Sequence, residues 1–278
     1  MSSDSLLRLS AFSDNGRGGN PAGVWIGDRL PDPATMQRIA AEVGYSETAF
    51  VAPSTGPIRQ VRYYSPEAEV SFCGHATIAA GVALGNRHGY GDFRFDTAIG
   101  PVPVTVRGES GHLEATLQSV DTLHEPADPA LLAEVLGCLH WAQEDLDASI
   151  PAVKAYAGAW HLVLAVRSRD RLASLDYDFD GLKALMLRAG LTTLQLVWRE
   201  RQGLFHSRNP FPVGGVVEDP ATGAAAAALG GYLRDSGLVE VPTHFVIRQG
   251  EDMGRPSRLL VNVPVQGGVQ VTGTAIEI

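Results

Sequence analysis

The sequence predicts an α+β fold with antiparallel sheets, and three observations carry that expectation. Strand-like and helix-like segments are intermixed without the regular βαβ alternation of a doubly wound fold. The 278 residues, 45% hydrophobic and 19% charged, suffice for one large domain or two lobes, either able to bury a substantial core. Two helices of small residues also recur about half a chain apart. One opens at Gly74 as Gly-His-Ala-Thr-Ile-Ala-Ala-Gly, the other 149 positions later at Gly223 as Gly-Ala-Ala-Ala-Ala-Ala-Leu-Gly. Such helices can be closely surrounded by backbone, as when a curved sheet wraps a central helix, and the echo then means two related lobes. Ala-rich stretches are also simply good helix formers, so the repeat by itself leaves both readings standing.

Along the chain, Leu6 to Phe12 and Ala22 to Ile26 look extended. Asp32-Pro33 supplies a helix start, Met36, Ile39, Ala40 and Val43 follow at helical spacing, and Gly44 is the stop. Ile58 to Tyr64 alternates as a strand that Pro66 breaks, a helix runs from Gly74 through Ala83, and Phe93 to Leu117 is β-rich with Gly turns. Asp121 to Pro129, polar and holding two prolines, is expected to cross between lobes. A short helix near Ala130 to Leu136, strands at Val153 to Tyr156 and His161 to Val166, and a helix near Leu182 to Ala189 follow. Strands at Leu194 to Trp198 and Gly203 to Ser207 lead into the second small-residue helix, Ala221 to Arg234. The tail alternates at Phe245 to Ile247, Leu259 to Val263 and Val269 to Ile276.

The net charge of −9, with no Lys or Arg run, argues against a nucleic-acid or anionic-membrane binder, which needs a clustered positive footprint. A small anionic metabolite remains a suitable partner, because oriented backbone dipoles make a local positive site in an acidic protein. Two cysteines, Cys73 and Cys138, cannot form a disulfide framework or a Cys-rich zinc site. No basic segment followed by an apolar core appears in Met1 to Ser10, and no uncharged apolar stretch is long enough to span a bilayer. A cytoplasmic protein is the expectation. There is no Gly-Lys-Ser/Thr phosphate loop, no complete Gly-x-Gly-x-x-Gly and no His-Glu-x-x-His, so neither a metal nor an organic cofactor is expected.

Glu47 stands where a helix has stopped and the strand of Ala49, Phe50 and Val51 begins. An apolar surrounding would raise its pKa and bring both protonation states within reach, as acid/base chemistry needs; a solvent-facing Glu beside a turn is the plainer reading. Cys73 and His75 flank Gly74 at a helix mouth, where first-turn N–H groups can hold a carboxylate and imidazole can relay a proton. A packed His and an inert buried thiol are the alternatives. Asp219, ahead of Pro220-Ala221-Thr222-Gly223, is a candidate cap for the second helix or a second carboxylate. Asn20-Pro21-Ala22-Gly23 is a turn signal whose amide can orient a ligand. Gly44-x-Ser46-x-Thr48 lacks the last Gly of a nucleophile elbow.

Four blocks taken together are specific where each alone is weak: Gly19-Asn20-Pro21-Ala22-Gly23-Val24, Ser46-Glu47-Thr48-Ala49-Phe50-Val51, Phe72-Cys73-Gly74-His75-Ala76-Thr77 and Glu218-Asp219-Pro220-Ala221-Thr222-Gly223. Their order and spacing resemble the PhzF-like, phenazine-biosynthesis isomerase family, itself similar in fold to diaminopimelate epimerase. The resemblance implies two pseudo-symmetric lobes, each a curved antiparallel sheet around a central helix, with the site between them. The N-terminal lobe is then 1–120, with 266–278 returning to it as a final strand, and the C-terminal lobe is 121–265.

The same resemblance implies a cofactor-independent isomerase and a homodimer. Glu47 would be the acid/base that moves a proton between carbons of an unsaturated or cyclic acid, with His75 and Asp219 as catalytic partners. Asn20, Ser46, Cys73, Gly74, Thr222, Gly223 and Ala224 would bind substrate. Phenazine-making members commonly carry Ser where this chain has Ala224, and losing that hydroxyl puts the phenazine precursor itself in doubt. Related thiol epimerases use two cysteines; Cys73 stands at the first of those positions, but Asp219 and Pro220 stand where the second would be, and Cys138 lies outside both motifs. The rivals are an epimerase using Glu47 and Cys73, and a non-catalytic small-acid-binding protein.

Overall fold

Local start and stop signals set the first elements. In the computed structural model, which describes residues 4–109 and 112–278, strand β1 (Ser5–Ala11) lies antiparallel to β2 (Asn20–Ile26). Met1–Ser3 of the segment screened for a signal and the turn at Gly111 lie outside the described residues. Asp32 caps helix α1 (Pro33–Val43), its carboxylate accepting from the Thr35 N–H at 3.0 Å, and Gly44 ends the helix at φ +73°. Met36 and Ala40 pack from this helix onto Trp25, Phe50 and Tyr64. Strand β3 (Thr48–Pro53) runs parallel to β2, β4 (Ile58–Tyr64) antiparallel to β3, and the two-residue β5 (Glu69–Val70) precedes helix α2 (Gly74–His88). Strands β6 (Gly91–Thr97), β7 (Gly100–Glu109) and β8 (His112–Gln118) follow.

The chain divides into two compact units, one running to Gln118 and including Thr272–Ile278, the other Ser119–Val271. In the first, pairing passes through β1, β2, β3, β4, β6, β7 and β8, and the chain's last strand, Gln270–Glu277, pairs with both β8 and β1 to close an eight-strand barrel. Helix α2 packs against β8, β2 and β7, and every residue from His75 to Gly85 is buried. A helix buried on all sides needs small residues where strands approach its backbone. At Gly81 an added Cβ would lie 2.9 Å from the Ala115 Cβ and 3.0 Å from Val104 Cγ1.

The second unit holds β9 (Leu123–Pro126), α3 (Pro129–Leu139), β10 (Val153–Tyr156), β11 (Trp160–Ala165), α4 (Arg169–Ala173), α5 (Phe179–Ala189), β12 (Thr193–Arg201), β13 (Leu204–Phe211), β14 (Val216–Asp219), α6 (Gly223–Asp235), β15 (Thr243–Gln249) and β16 (Ser257–Val263). Its strands pair in the order β9, β10, β11, β12, β13, β15, β16, with β14 on β13. Helix α6, buried at Ala225 through Leu233, packs on β16, β10, β9 and β11. Leu162, Leu164, Leu194 and Leu196 turn the other way, into a core with Leu182, Leu185 and Met186 of α5.

The expectation of antiparallel sheets holds for most pairs and is corrected at four: β2–β3, β4–β6, β11–β12 and β13–β15 are parallel. Parallel neighbours need a long crossover, and each of these pairs spans at least one helix, α1, α2, α4 with α5, and α6 respectively. The apolar run Leu162 to Ala165 of β11, all buried, carries the mark of a strand covered on both faces. The segment from Asp121 is not all loop: it follows directly on the division of the units at Gln118 and Ser119, and its Leu123–Pro126 pairs with β10. No helix among the described residues is long and apolar enough to cross a membrane.

On β13, His206 is clamped by two carboxylates, Nδ1 at 2.6 Å from Glu251 and Nε2 at 2.8 Å from Glu200. Only the imidazolium can donate through both nitrogens, and the Glu251 bond, followed by the Glu200 bond, holds its pKa up against burial. The His206 bond in turn holds the Glu251 carboxyl low. The imidazolium's contribution is therefore full below its unfolded pKa and fades as pH rises above about 6.5, while the carboxylate's is full above about 4.3 and fades below it.

Two stability predictions follow from these contacts. Replacing His206 by Gln is expected to cost about 1–3 kcal/mol near pH 6 and to flatten the fall of the denaturant midpoint at higher pH. Gly81→Val is expected to cost about 1–3 kcal/mol by overpacking against β7 and β8, measured by denaturant unfolding.

Candidate active site

Glu47 is delivered by two neighbouring elements. Helix α1 stops at Gly44, and the parallel ladder of β2 with β3 begins where the Gly23 N–H donates to the Glu47 carbonyl at 3.1 Å. Gly23 is required there, since a Cβ would sit 2.5 Å from Thr48 Oγ1 and 2.9 Å from its Cγ2. Asn20-Pro21-Ala22-Gly23 is therefore part of strand β2, not a turn. Pro21 is tolerated because its nitrogen faces the β3 side two residues before β3 begins, where no ladder donor is needed. Asn20, buried at the start of β2, lies opposite Ala11.

The α2 start meets Glu47. His75 Nε2 lies 3.4 Å from Glu47 Oε2 and 3.5 Å from Ser46 Oγ, while Cys73 Sγ lies 3.3 Å from His75 Nδ1. The His75 side chain is 9% exposed and that of Glu47 20%, so the carboxylate keeps an open side while the imidazole is enclosed. Cys73 is the N-cap residue but makes no side-chain capping bond; its carbonyl accepts from the Thr77 N–H and, at 2.7 Å, from the Thr77 hydroxyl. Tyr63 OH meets that hydroxyl at 2.6 Å, and burial pushes the Tyr63 phenol well up, so it stays neutral. Ser46, Glu47, Cys73, Gly74 and His75 thus form one group on a braced helix start.

In the second unit, Asp219 ends β14 and Thr222, not Asp219, is the N-cap of α6. The cap must directly precede the helix, and Pro220 to Thr222 intervene, so Asp219 instead accepts from the Thr222 hydroxyl at 2.5 Å. Gly223 and Ala224 form the first turn.

The family model described as "Phenazine biosynthesis-like protein" matches residues 9–278. The chain belongs to that family. Among its curated relatives, the uncharacterized isomerase YfhB of Bacillus subtilis is 29% identical, the alignment covering 99% of this chain and 97% of YfhB. The trans-2,3-dihydro-3-hydroxyanthranilate isomerase of Pseudomonas fluorescens is 31% identical, with 90% of this chain and 86% of that protein covered. The PhzF-family phenazine biosynthesis protein of Bacillus anthracis shares the fold, with a TM-score of 0.85 at 23% identity and coverage of 98% and 96%. Homologues of this phenazine biosynthesis-like chain are thus named isomerases.

Several supporting residues escaped sequence reasoning. Gln249 donates to the Asp219 carbonyl at 2.7 Å and to Thr222 Oγ1 at 3.0 Å, and accepts from the Thr222 N–H at 3.1 Å. The buried Arg208 forks onto Glu218, immediately before Asp219, and donates to the Ala173 carbonyl at 2.7 Å. A buried polar layer joins His161 to Thr193 at 2.8 Å, Asn209 to Gln195 at 2.6 Å and Ser207 to Asn209 at 2.8 Å. Burial there holds His161 neutral, with its pKa lowered to about 3. Single polar residues on separate strands carry no spacing pattern; only Gln195, inside the apolar run Leu194 to Val197, gave a local signal. Gln249→Met is expected to leave the Thr222 amide unpaired and cost about 1–3 kcal/mol, checked by the unfolding midpoint.

Proposed function

We propose that this protein is an isomerase that shifts a proton between carbons of a small unsaturated or cyclic carboxylate, with Glu47 as the acid/base. The carrying observation is the half-open Glu47 carboxylate, 3.4 Å from His75 at the start of a buried helix. Glu47 accepts the proton as one C–H bond breaks, then returns it as another forms, while the electron pair stays in the substrate's π system. No oxidant or reductant is needed for that balance, and the proposed mechanism calls on no cofactor. The first turn of α2 favours an anionic substrate group, and His75 supplies a proton donor beside Glu47. Asp219 and the α6 start are the second carboxylate and second anion-favouring helix start of the proposal. The substrate of the Pseudomonas relative is an unsaturated cyclic acid by its name, which fits this class. With Ala224 beside Gly223, this chain lacks the hydroxyl that phenazine-making members commonly carry there, which argues for a different acid.

The epimerase alternative pairs Glu47 with Cys73. Two carriers on opposite faces of one carbon, each about 3–3.5 Å from it, must stand about 6–7 Å apart. The Glu47, Cys73 and His75 ligand atoms all lie within 4.8 Å of one another, too close to sandwich a carbon. That spacing supports a proton shift on one face by a single carboxylate.

The test is an NMR screen of unsaturated and amino acids for deuterium uptake from heavy water. Glu47→Gln is expected to keep the fold and lose exchange by at least about 10²–10⁴-fold, with smaller losses for His75→Ala and Asp219→Asn. Near-normal exchange in Glu47→Gln would end the assignment. Inversion at one carbon that disappears in Cys73→Ser would establish the epimerase instead, and tight carboxylate binding without any uptake would mark a binding protein.

A further inference from the structure

The group that would move the proton also has the composition and spacing of an open metal site. We propose that Glu47, Cys73 and His75 bind a borderline-soft divalent cation of the Zn²⁺ type, and that the bound cation arrests turnover. The consequence for turnover rests on the function proposed above; the binding itself does not.

Geometry carries the argument. With metal–sulfur bonds of about 2.3 Å and metal–nitrogen or –oxygen bonds of about 2.0–2.2 Å, the ligand atoms of a tetrahedral site stand about 3.3–3.6 Å apart. His75 Nε2 lies 3.4 Å from Glu47 Oε2 and 3.8 Å from Cys73 Sγ, and all three ligand atoms lie within 4.8 Å of one another. Cys73 Sγ lies 3.3 Å from Nδ1, alongside the ring rather than in line with the Nε2 lone pair, so loading turns the imidazole about its side-chain bonds to aim Nε2 between sulfur and carboxylate, while the open-sided Glu47 swings to close the third edge. Ser46 Oγ, 3.5 Å from His75 Nε2, or a water entering by the open side of Glu47, completes the fourth position.

The donor set fits the same cation. Thiolate, imidazole and carboxylate together suit Zn²⁺ better than Mg²⁺ or Ca²⁺, which take oxygen ligands. A thiolate and a carboxylate also balance the two positive charges, so the loaded site is neutral. The α2 start lowers the cost of both anionic ligands. On binding, Cys73 loses its thiol proton to solvent, the sulfur lone pair forms the metal bond, and no oxidation state changes. The lone pair of Glu47 Oε2 that faces His75 is then committed to the metal and unable to accept a proton from carbon.

The experiment titrates metal-free full-length protein with Zn²⁺ by calorimetry in buffers of different ionisation enthalpy, and with Co²⁺ by absorption. We expect one ion per chain, about one proton released, and a Co²⁺ spectrum with tetrahedral ligand-field bands and a sulfur-to-cobalt charge-transfer band. Cys73→Ser is expected to abolish the charge-transfer band and, with Glu47→Gln, to weaken binding by at least about 100-fold, whereas Cys138→Ser leaves both unchanged. No stoichiometric binding, a Co²⁺ adduct without sulfur ligation in the unaltered protein, or a charge-transfer band lost with Cys138 rather than Cys73 would each overturn the site. Because the Co²⁺ spectrum of the unaltered protein needs no variant to fold, the outcome does not hang on mutant stability. Zn²⁺ is also expected to stop deuterium exchange, with full recovery on adding a chelator. Stoichiometric binding that leaves exchange intact would overturn the arrest while the site stands, and normal exchange in Glu47→Gln would overturn the proposed function while Zn²⁺ binding stands.

Discussion

A helix enclosed on every side has no polar face on which to rest, and α2 is such a helix from His75 to Gly85. Its only ways to satisfy the geometry are small residues along the barrel and a polar event at its end. The first requirement produces the close approach of β7 and β8 at Gly81. The second places the amides of its opening turn, together with Cys73 and His75, at the one end where charge can be received. Helix α6 repeats the requirement in its own unit with an almost unbroken run of alanine, and its opening turn sits beside Asp219 and Thr222.

The parallel pairings give this arrangement its acid. A parallel neighbour forces a crossover, and the crossover between β2 and β3 is α1, whose stop at Gly44 leaves three residues before the ladder resumes at Thr48. Glu47 occupies the last of these, with its backbone tied to Gly23 and its side chain left to turn toward His75. The aromatic contacts beneath, Trp25 on Phe50 at 6.1 Å and Phe50 edge-on to Tyr64 at 5.7 Å, hold β2, β3 and β4 to α1 and so hold that short link in place. Position, not exotic chemistry, is what separates Glu47 from the exposed glutamates elsewhere in the chain.

Proton transfer and metal affinity draw on the same electronic property here. A carboxylate, an imidazole and a thiol gathered within 4.8 Å offer lone pairs to whatever electrophile reaches them first. In the proposed function and the proposed metal site, a substrate C–H and a borderline-soft cation differ in kind but would compete for the same oxygen of Glu47.

Sequence alone determined the elements with strong local punctuation. Asp32-Pro33 and Gly44 bound α1 as expected, Ile58 to Tyr64 is a strand at both expected ends, and the two small-residue helices begin at or within two residues of where their composition places them. It also determined the four motif blocks, and with them the family, since motif order is a property of the chain itself. Tertiary structure decided the rest. Parallel against antiparallel pairing depends on which distant strand lies alongside, and a period-two pattern is the same for both. The strand character of Asn20 and Leu123 came from partners rather than from propensity, and Asp219 lost the cap to Thr222 because three residues, rather than none, separate it from α6. Gln249, Arg208 and the His161 layer escaped for the same reason: a buried hydrogen bond joins residues that are far apart in the chain, and nothing local in the sequence records the partner.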